Sequence, residues 1–289
     1  MRAKVPGSAA NLGPGFDALA LALDRYVEVE IVPAPKLSLE TFGEGAGQFE
    51  PEEHLAVQVA RSVIGHDRFH MSVTSDVPLA RGLGSSAALA VAAAAAAGSP
   101  DPLGVAVALE GHPENAAASV VGGLISACMI GDQARVVKLP LDPALRFVLV
   151  VPDRTLKTKD ARAALADTVP RADATFNLGR LGLLLAGLAD ARFLVPEAAD
   201  DRLHQRQRTP LFPESPALLA ALTESGALAS CWSGAGPSLL GIATADHAEA
   251  VAEGARLAME RERVAGSVAV LHADLQGLVI GAEPIARKN

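Results

Sequence analysis

Cysteine is scarce: Cys128 and Cys231 are the two in 289 residues, too few for a disulfide framework or a four-ligand zinc site. That scarcity points to a reducing cytoplasm. Aromatic residues are also few at 3%, with one Trp and one Tyr, so the core has to be built from Ala, Val and Leu. No apolar run approaches the ~20 residues of a bilayer span. Ala87 to Ala97 gives eleven and then stops at Gly98-Ser99-Pro100. The first residues, Met-Arg-Ala-Lys-Val-Pro, lack the apolar stretch of a secretory signal. There is no Lys/Arg run, and the net charge of -8 argues against nucleic acid as a partner. What is present is a chain half hydrophobic and one-fifth charged, the composition of a packed protein of one large or two medium domains.

Val27, Val29 and Ile31 alternate with Glu28 and Glu30, and Phe69, Met71 and Val73 alternate with polar residues. Each pattern predicts a half-exposed strand. Between them the spacing of Leu55, Val59 and Val63 predicts a helix over 53–64. Ser85 to Ala97 reads as a helix apolar on every side, hence buried. A helix over 103–110, a helix start at Glu114-Asn115 and strands over 121–129, 135–139 and 147–151 follow. Beyond Pro152-Asp153 the expected helices cover 159–166, 178–188, 213–225 and 245–259, with strands at 228–232, 239–243, 268–271 and 278–280. Strands and helices mixed without regular βαβ alternation predict an α+β fold in two domains, 1–150 and 151–289.

The strongest local signal runs from Pro78 through Leu79, Ala80, Arg81, Gly82, Leu83, Gly84, Ser85, Ser86 and Ala87 to Ala88. A strand ends, a Gly-containing loop follows, and two hydroxyls open a long helix. Glycine lets backbone N–H groups approach an anion, and the helix start adds positive potential, so the segment reads as a phosphate cradle. The plain alternative is that Ser85 or Ser86 only caps the helix. Gly82-x-Gly84-x-x-Ala87 and Gly13-x-Gly15-x-x-Ala18 also fit a dinucleotide fingerprint, but neither has its context, and the first lacks the following strand with an acidic end that such a unit requires. No G-x-x-x-x-G-K-[ST], G-x-S-x-G or H-E-x-x-H is present.

Three further segments carry chemistry. Val5 to Asp17 is a dense run of small residues whose strong polar groups are Asn11 and Asp17, as in a loop that hugs a ligand. Trp232 to Ser238 is a Gly-rich turn between strands, with Gly234 and Gly236. Glu110-Gly111-His112-Pro113-Glu114-Asn115 places two carboxylates, an imidazole and an amide together, and Glu110 beside a phosphate loop suits a hard cation such as Mg²⁺.

In this order and at these positions, the three Gly-rich motifs resemble those of the GHMP kinases over essentially the whole chain. Within that family, Val-Pro-Gly-Ser-Ala-Ala-Asn-Leu-Gly-Pro-Gly-Phe-Asp, Glu-Gly-His-Pro-Glu-Asn and Asp201-Arg-Leu-His204-Gln205-x-x-Arg208 are most similar to the branch acting on L-homoserine. The resemblance implies an N-terminal domain like the second domain of ribosomal protein S5 and a C-terminal ferredoxin-like domain. It implies ATP phosphates wrapped by Pro78 to Ala88, Mg²⁺ on Ser86 and Glu110, and support of the phosphate loop by Gly234, Gly236 and Ser238. Asn11, Asp17, His112, Asn115, Thr158, Arg162 and Arg208 would surround the substrate, with Asp17 and Asn115 nearest the chemistry. Asp17 is read as either a base or a substrate clamp.

The implied reaction is ATP- and Mg²⁺-dependent phosphorylation of the side-chain hydroxyl of L-homoserine, giving O-phospho-L-homoserine for threonine synthesis. A bidentate guanidinium is the best holder of an amino-acid carboxylate, which fits Arg162 and Arg208. The implied partner is that small molecule, with neither nucleic acid nor membrane, and a homodimer is allowed. The rivals are a kinase for a mevalonate- or shikimate-type alcohol, a decarboxylating relative, and a non-catalytic binder. Three departures stand out. Arg206-Gln207 replaces the family's Pro-Tyr, so Arg206 competes with Arg208 as the clamp. His54-Leu55 replaces Asn-Leu near the purine. Glu114 replaces Asp.

Overall fold

A computed structural model describes residues 1–281 and Glu283. The chain opens on β1 (Arg2–Ala10), turns through residues 11–18, and returns as the 15-residue β2 (Leu19–Pro33). Then come β3 (Ser38–Gly43), α1 (Leu55–Ile64), β4 (Phe69–Ser75), α2 (Ser85–Ala96), α3 (Pro102–Glu110), α4 (Glu114–Val121) and the hairpin β5 (Leu124–Ile130) and β6 (Gln133–Leu139). Next are β7 (Leu145–Pro152), α5 (Thr158–Ala163), α6 (Arg171–Ala189), α7 (Gln205–Arg208) and α8 (Ser215–Glu224). The chain closes with β8 (Ala229–Trp232), β9 (Leu239–Thr244), α9 (Ala248–Arg261), β10 (Gly266–Leu271) and β11 (Val279–Ile280).

The first sheet runs β11-β1-β2-β4-β3, with the β5–β6 hairpin also paired to β2. The length of β2 makes this possible: Leu19–Leu21 pair with β5, and Val27–Pro33 pair with β4. The second sheet runs β10-β7-β9-β8 and is antiparallel throughout. Its strands and covering helices follow β-α-β-β-α-β order, the expected ferredoxin-like arrangement. The exchange between sheets falls between Leu139 and Leu145, ahead of residue 150, and β11 returns the chain to the first sheet beside β1.

The alanine run is the reason the first lobe closes. Every residue from Ala90 to Ala96 is at most 4% exposed, and α2 packs against α1, α3, α4, β1 and β2 at once. Small side chains, mostly methyl groups, let all five neighbours approach a single helix. Among the described residues no helix is long and apolar enough to cross a membrane.

Several elements differ from expectation. Pro6 and Gly7 interrupt β1 and hide it in the sequence; the sheet absorbs them as a register shift between those residues. No sequence pattern predicts β3, the partner of β4 in a parallel pair. Val121, expected to begin a strand, instead ends α4, and α6 begins at Arg171 rather than 178. β2 is not half-exposed: Glu28 is 6% exposed and lies 3.5 Å from Arg2 Nε.

Candidate active site

A cleft of about 260 Å³ lies where the two lobes meet. It is lined from the first lobe by the loop after β1, the loop before α2 and the α3–α4 junction. The second lobe contributes the segment entering α5, Arg208 of α7 and the β8–β9 turn.

The helix start comes first. Gly84 caps α2 in the left-handed region, φ 62°, with no side-chain cap, so neither serine caps the helix. The first bond inside the helix is from Ala88 N–H to Gly84 C=O, which leaves the Ser85, Ser86 and Ala87 amides unused by the helix. Space is equally tight. A Cβ on Gly84 would lie 2.5 Å from Ser8 Oγ and 2.7 Å from Asn115 Oδ1, and one on Gly82 would lie 2.1 Å from the Ser233 carbonyl oxygen. Gly84→Val is therefore expected to abolish nucleotide binding measured by calorimetry while α2 keeps its helicity, because a β-branched residue at this φ displaces both neighbours. Unchanged affinity would leave only an ordinary helix start here.

The expected phosphate segment divides into distinct roles. Ala80, Gly82, Gly84, Ser85 and Ser86 line the cleft. Arg81 turns away and donates from Nε and Nη2 to the Pro152 and Asp153 carbonyls at 2.9 Å, tying this loop to β7. Leu83, Ala87 and Ala88 are core residues, 2%, 1% and 0% exposed. Pro78 and Leu79 border neighbouring hollows instead. In the β8–β9 turn, Gly234 reaches the cleft and Ser233 Oγ donates to Gly82 C=O at 2.7 Å. Gly236 packs against the Trp232 ring, and Ser238 is fully buried, so both lie behind the cleft.

Asn11 lines the cleft; its Nδ2 donates to Gly234 C=O at 2.8 Å and its Oδ1 accepts from Asp17 N–H at 3.0 Å, so the amide joins two loops there. Asp17 forks onto Arg162 at 2.7 and 3.0 Å. This bond and burial oppose each other at the guanidinium, and the bond prevails, raising the Arg162 pKa. His112 Nδ1 lies 2.7 Å from Glu114 Oε1 and Nε2 lies 4.0 Å from Glu110. The Glu114 contact raises the His112 pKa against the effect of burial. Asn115 accepts from Ser8 Oγ at 2.9 Å and donates to Glu114 at 3.2 Å, and Thr158 lines the opposite wall.

Arg208 differs from every other cation of the cleft. It is 1% exposed, and its hydrogen bonds go to neutral acceptors: Ala161 C=O, His204 Nδ1 and Gly234 C=O. Burial, with Arg162 nearby, draws its pKa down to about 10, still cationic at neutral pH. Arg206 is exposed and lines a different hollow, beside Ser215. Two features escaped sequence reasoning. Lys157 lines the cleft beside Thr158, and its basic side chain was the available signal. A mostly apolar recess of about 240 Å³ adjoins Ser85 and Ser86, walled by Val27, Phe49, His54 and Leu89. His54 is 6% exposed, and burial lowers its pKa, so it stands there as a neutral ring.

A helix start with amides unused by the helix, a carboxylate lining the same cleft and an adjoining apolar recess suit a nucleotide-dependent phosphotransferase, and the chain is similar to such enzymes. The family model "GHMP kinases N terminal domain" matches residues 54–123 and "GHMP kinases C terminal" matches 177–261. The chain belongs to the GHMP kinases, within the homoserine kinase branch. It is 36% identical to the homoserine kinase of Moorella thermoacetica, covering 82% of this chain and 85% of that protein. With a homoserine kinase of Thermus thermophilus the identity is 41%, over 84% of this chain and 87% of that one. The solved homoserine kinase of Cytophaga hutchinsonii shares the fold at a TM-score of 0.84 and 24% identity, each chain covered to 96%.

Proposed function

We infer that this chain transfers the γ-phosphoryl group of ATP to the side-chain hydroxyl of L-homoserine. The observation that carries the substrate is Arg208, a buried cation with no carboxylate among its hydrogen-bond partners, at the wall of a cleft that also holds the start of α2. A buried charge recovers its desolvation cost only when an anion reaches it, and an amino-acid carboxylate supplies a planar partner.

The other groups fall into place around that contact. The ATP phosphates take the free amides of Ser85 to Ala87, and the base takes the apolar recess beside His54. Arg162 is the second cation for the carboxylate. It and Asp17 have side chains 36% and 35% exposed, so their pair is worth at most ~1 kcal/mol and a substrate competes for either partner. Asp17 then offers its carboxylate to the substrate ammonium and hydroxyl, while His112, Asn115 and Thr158 close the remaining sides. Phosphoryl transfer rests mainly on positioning and charge neutralisation, so Asp17 acts here as a clamp and no dedicated base is needed.

The residues present fit Mg²⁺. Glu110 and Ser86 bring a carboxylate and a hydroxyl oxygen to the same cleft, hard donors of the kind this ion takes, with phosphate oxygens and water completing its shell. When bound, the metal neutralises charge on the transferring phosphoryl group. Phosphorus NMR of an ATP, Mg²⁺ and L-homoserine mixture tests this reading. A new phosphomonoester resonance coupled to the homoserine γ-methylene supports it; ADP and inorganic phosphate alone would refute it.

A further inference from the structure

The loop that follows β1 is held in an unfavourable shape. Asn11, Leu12 and Gly13 all have positive φ (70°, 49° and 76°), and Asp17 repeats this at 53°. Consecutive left-handed residues persist only when surrounding contacts over-determine them. One of those contacts is His204, which is fully buried. Its Nε2 lies 2.7 Å from Gly13 C=O, and its Nδ1 lies 3.0 Å from Arg208 Nη1. The Phe16 ring stacks on the imidazole with centroids 5.1 Å apart.

These two contacts settle the proton. A guanidinium only donates, so Nδ1 presents its lone pair to Arg208; a carbonyl only accepts, so Nε2 carries the hydrogen toward Gly13. Burial keeps the ring neutral against the pull of Asp201, whose carboxylate lies 3.7 Å from Nε2 and caps the turn by accepting from the His204 and Gln205 amides. We propose that His204 is a positioning residue for the phosphoryl acceptor: in its Nε2–H tautomer, one buried ring holds both the Arg208 guanidinium and the strained loop that carries Asp17. This rests on the substrate assignment only for the identity of the acceptor. The two contacts and the tautomer stand independently of it.

The two links can be cut separately. His204→Asn places its amide near Nδ1 and can keep an acceptor for Arg208 while losing the donor to Gly13. His204→Gln reaches the Nε2 position and keeps the donor while losing the acceptor. Steady-state kinetics, with the acceptor that the unaltered chain phosphorylates, should separate them. We expect His204→Gln to raise the acceptor KM about tenfold or more with kcat nearly kept, a charged hydrogen bond being at stake. His204→Asn should instead lower kcat about tenfold with KM within a few-fold, because Asp17 loses its fixed place. The KM for ATP should stay near the wild-type value in both. Long-range ¹H–¹⁵N correlation on histidine-labelled, unaltered protein should show a protonated Nε2 and a bare Nδ1 at neutral pH, whether or not the variants fold. An Nδ1–H tautomer, an imidazolium, or two variants with the same kinetic pattern would overturn the proposal. Absence of homoserine turnover by the unaltered chain with the Nε2–H tautomer observed would fault the substrate reading and sustain the His204 geometry.

Discussion

Glu110→Gln is expected to lower kcat by about two to four orders of magnitude while leaving the fold intact. The substitution keeps shape and volume and removes only the charge, at the last residue of α3 in a side chain 14% exposed on the cleft. If Glu110 holds Mg²⁺, the amide leaves the metal poorly anchored, and charge on the transferring phosphoryl group goes unneutralised. Circular dichroism and thermal melting should match the unaltered chain, and metal-free ATP should bind as before by calorimetry. The added Mg²⁺ needed for half-maximal rate should rise. A kcat within a few-fold of the original would move the metal to another carboxylate of the cleft.

Arg208→Ala should raise the KM for homoserine by roughly 10- to 150-fold, since a charge-assisted carboxylate contact is worth about 1.5–3 kcal/mol. The KM for ATP should change little. Because Arg208 is buried and donates to the Ala161 carbonyl and to His204 Nδ1, the variant also leaves those acceptors unpaired, and its melting temperature should fall. Arg206→Ala is the control. That side chain is exposed and lies away from the cleft, so neither KM nor stability should shift measurably. If Arg206→Ala carried the effect and Arg208→Ala did not, the assignment of this segment would be wrong by two residues.

How much of the fold and cleft was legible in the sequence depended on whether the cause was local. The helix α2 was visible because an alanine run bounded by Gly84 and by Gly98-Ser99-Pro100 has few other ways to fold. The loop before it was visible as glycine punctuation, and the structure supplies the cause: left-handed φ at Gly82 and Gly84 and no room for a Cβ at either. The choice between Arg206 and Arg208 could not be read from composition. It is made by the four-residue helix α7, which turns His204 and Arg208 inward together and Arg206 outward. Contacts between distant segments were hidden altogether. Asn11 lines the cleft as a ligand residue would, but its bond to Gly234, 223 residues away, could not be foreseen, nor could Asp17 meeting Arg162 across 145 residues. β1 was masked by Pro6 and Gly7, whose local meaning is a turn and which the sheet absorbs as a register shift in the pairing with β2.

The substrate assignment is tested most sharply by a coupled ADP-release assay with ATP and Mg²⁺, run in parallel on L-homoserine, L-threonine, mevalonate and shikimate. If Arg208 and Arg162 read a carboxylate and Asp17 reads the ammonium beside it, kcat/KM should be highest for L-homoserine by at least about tenfold, because mevalonate and shikimate bring a carboxylate without an ammonium. Mass spectrometry should then find O-phospho-L-homoserine in step with ADP. Preference for mevalonate or shikimate, or ADP release indifferent to every alcohol, would overturn the assignment of Arg208 as an amino-acid clamp.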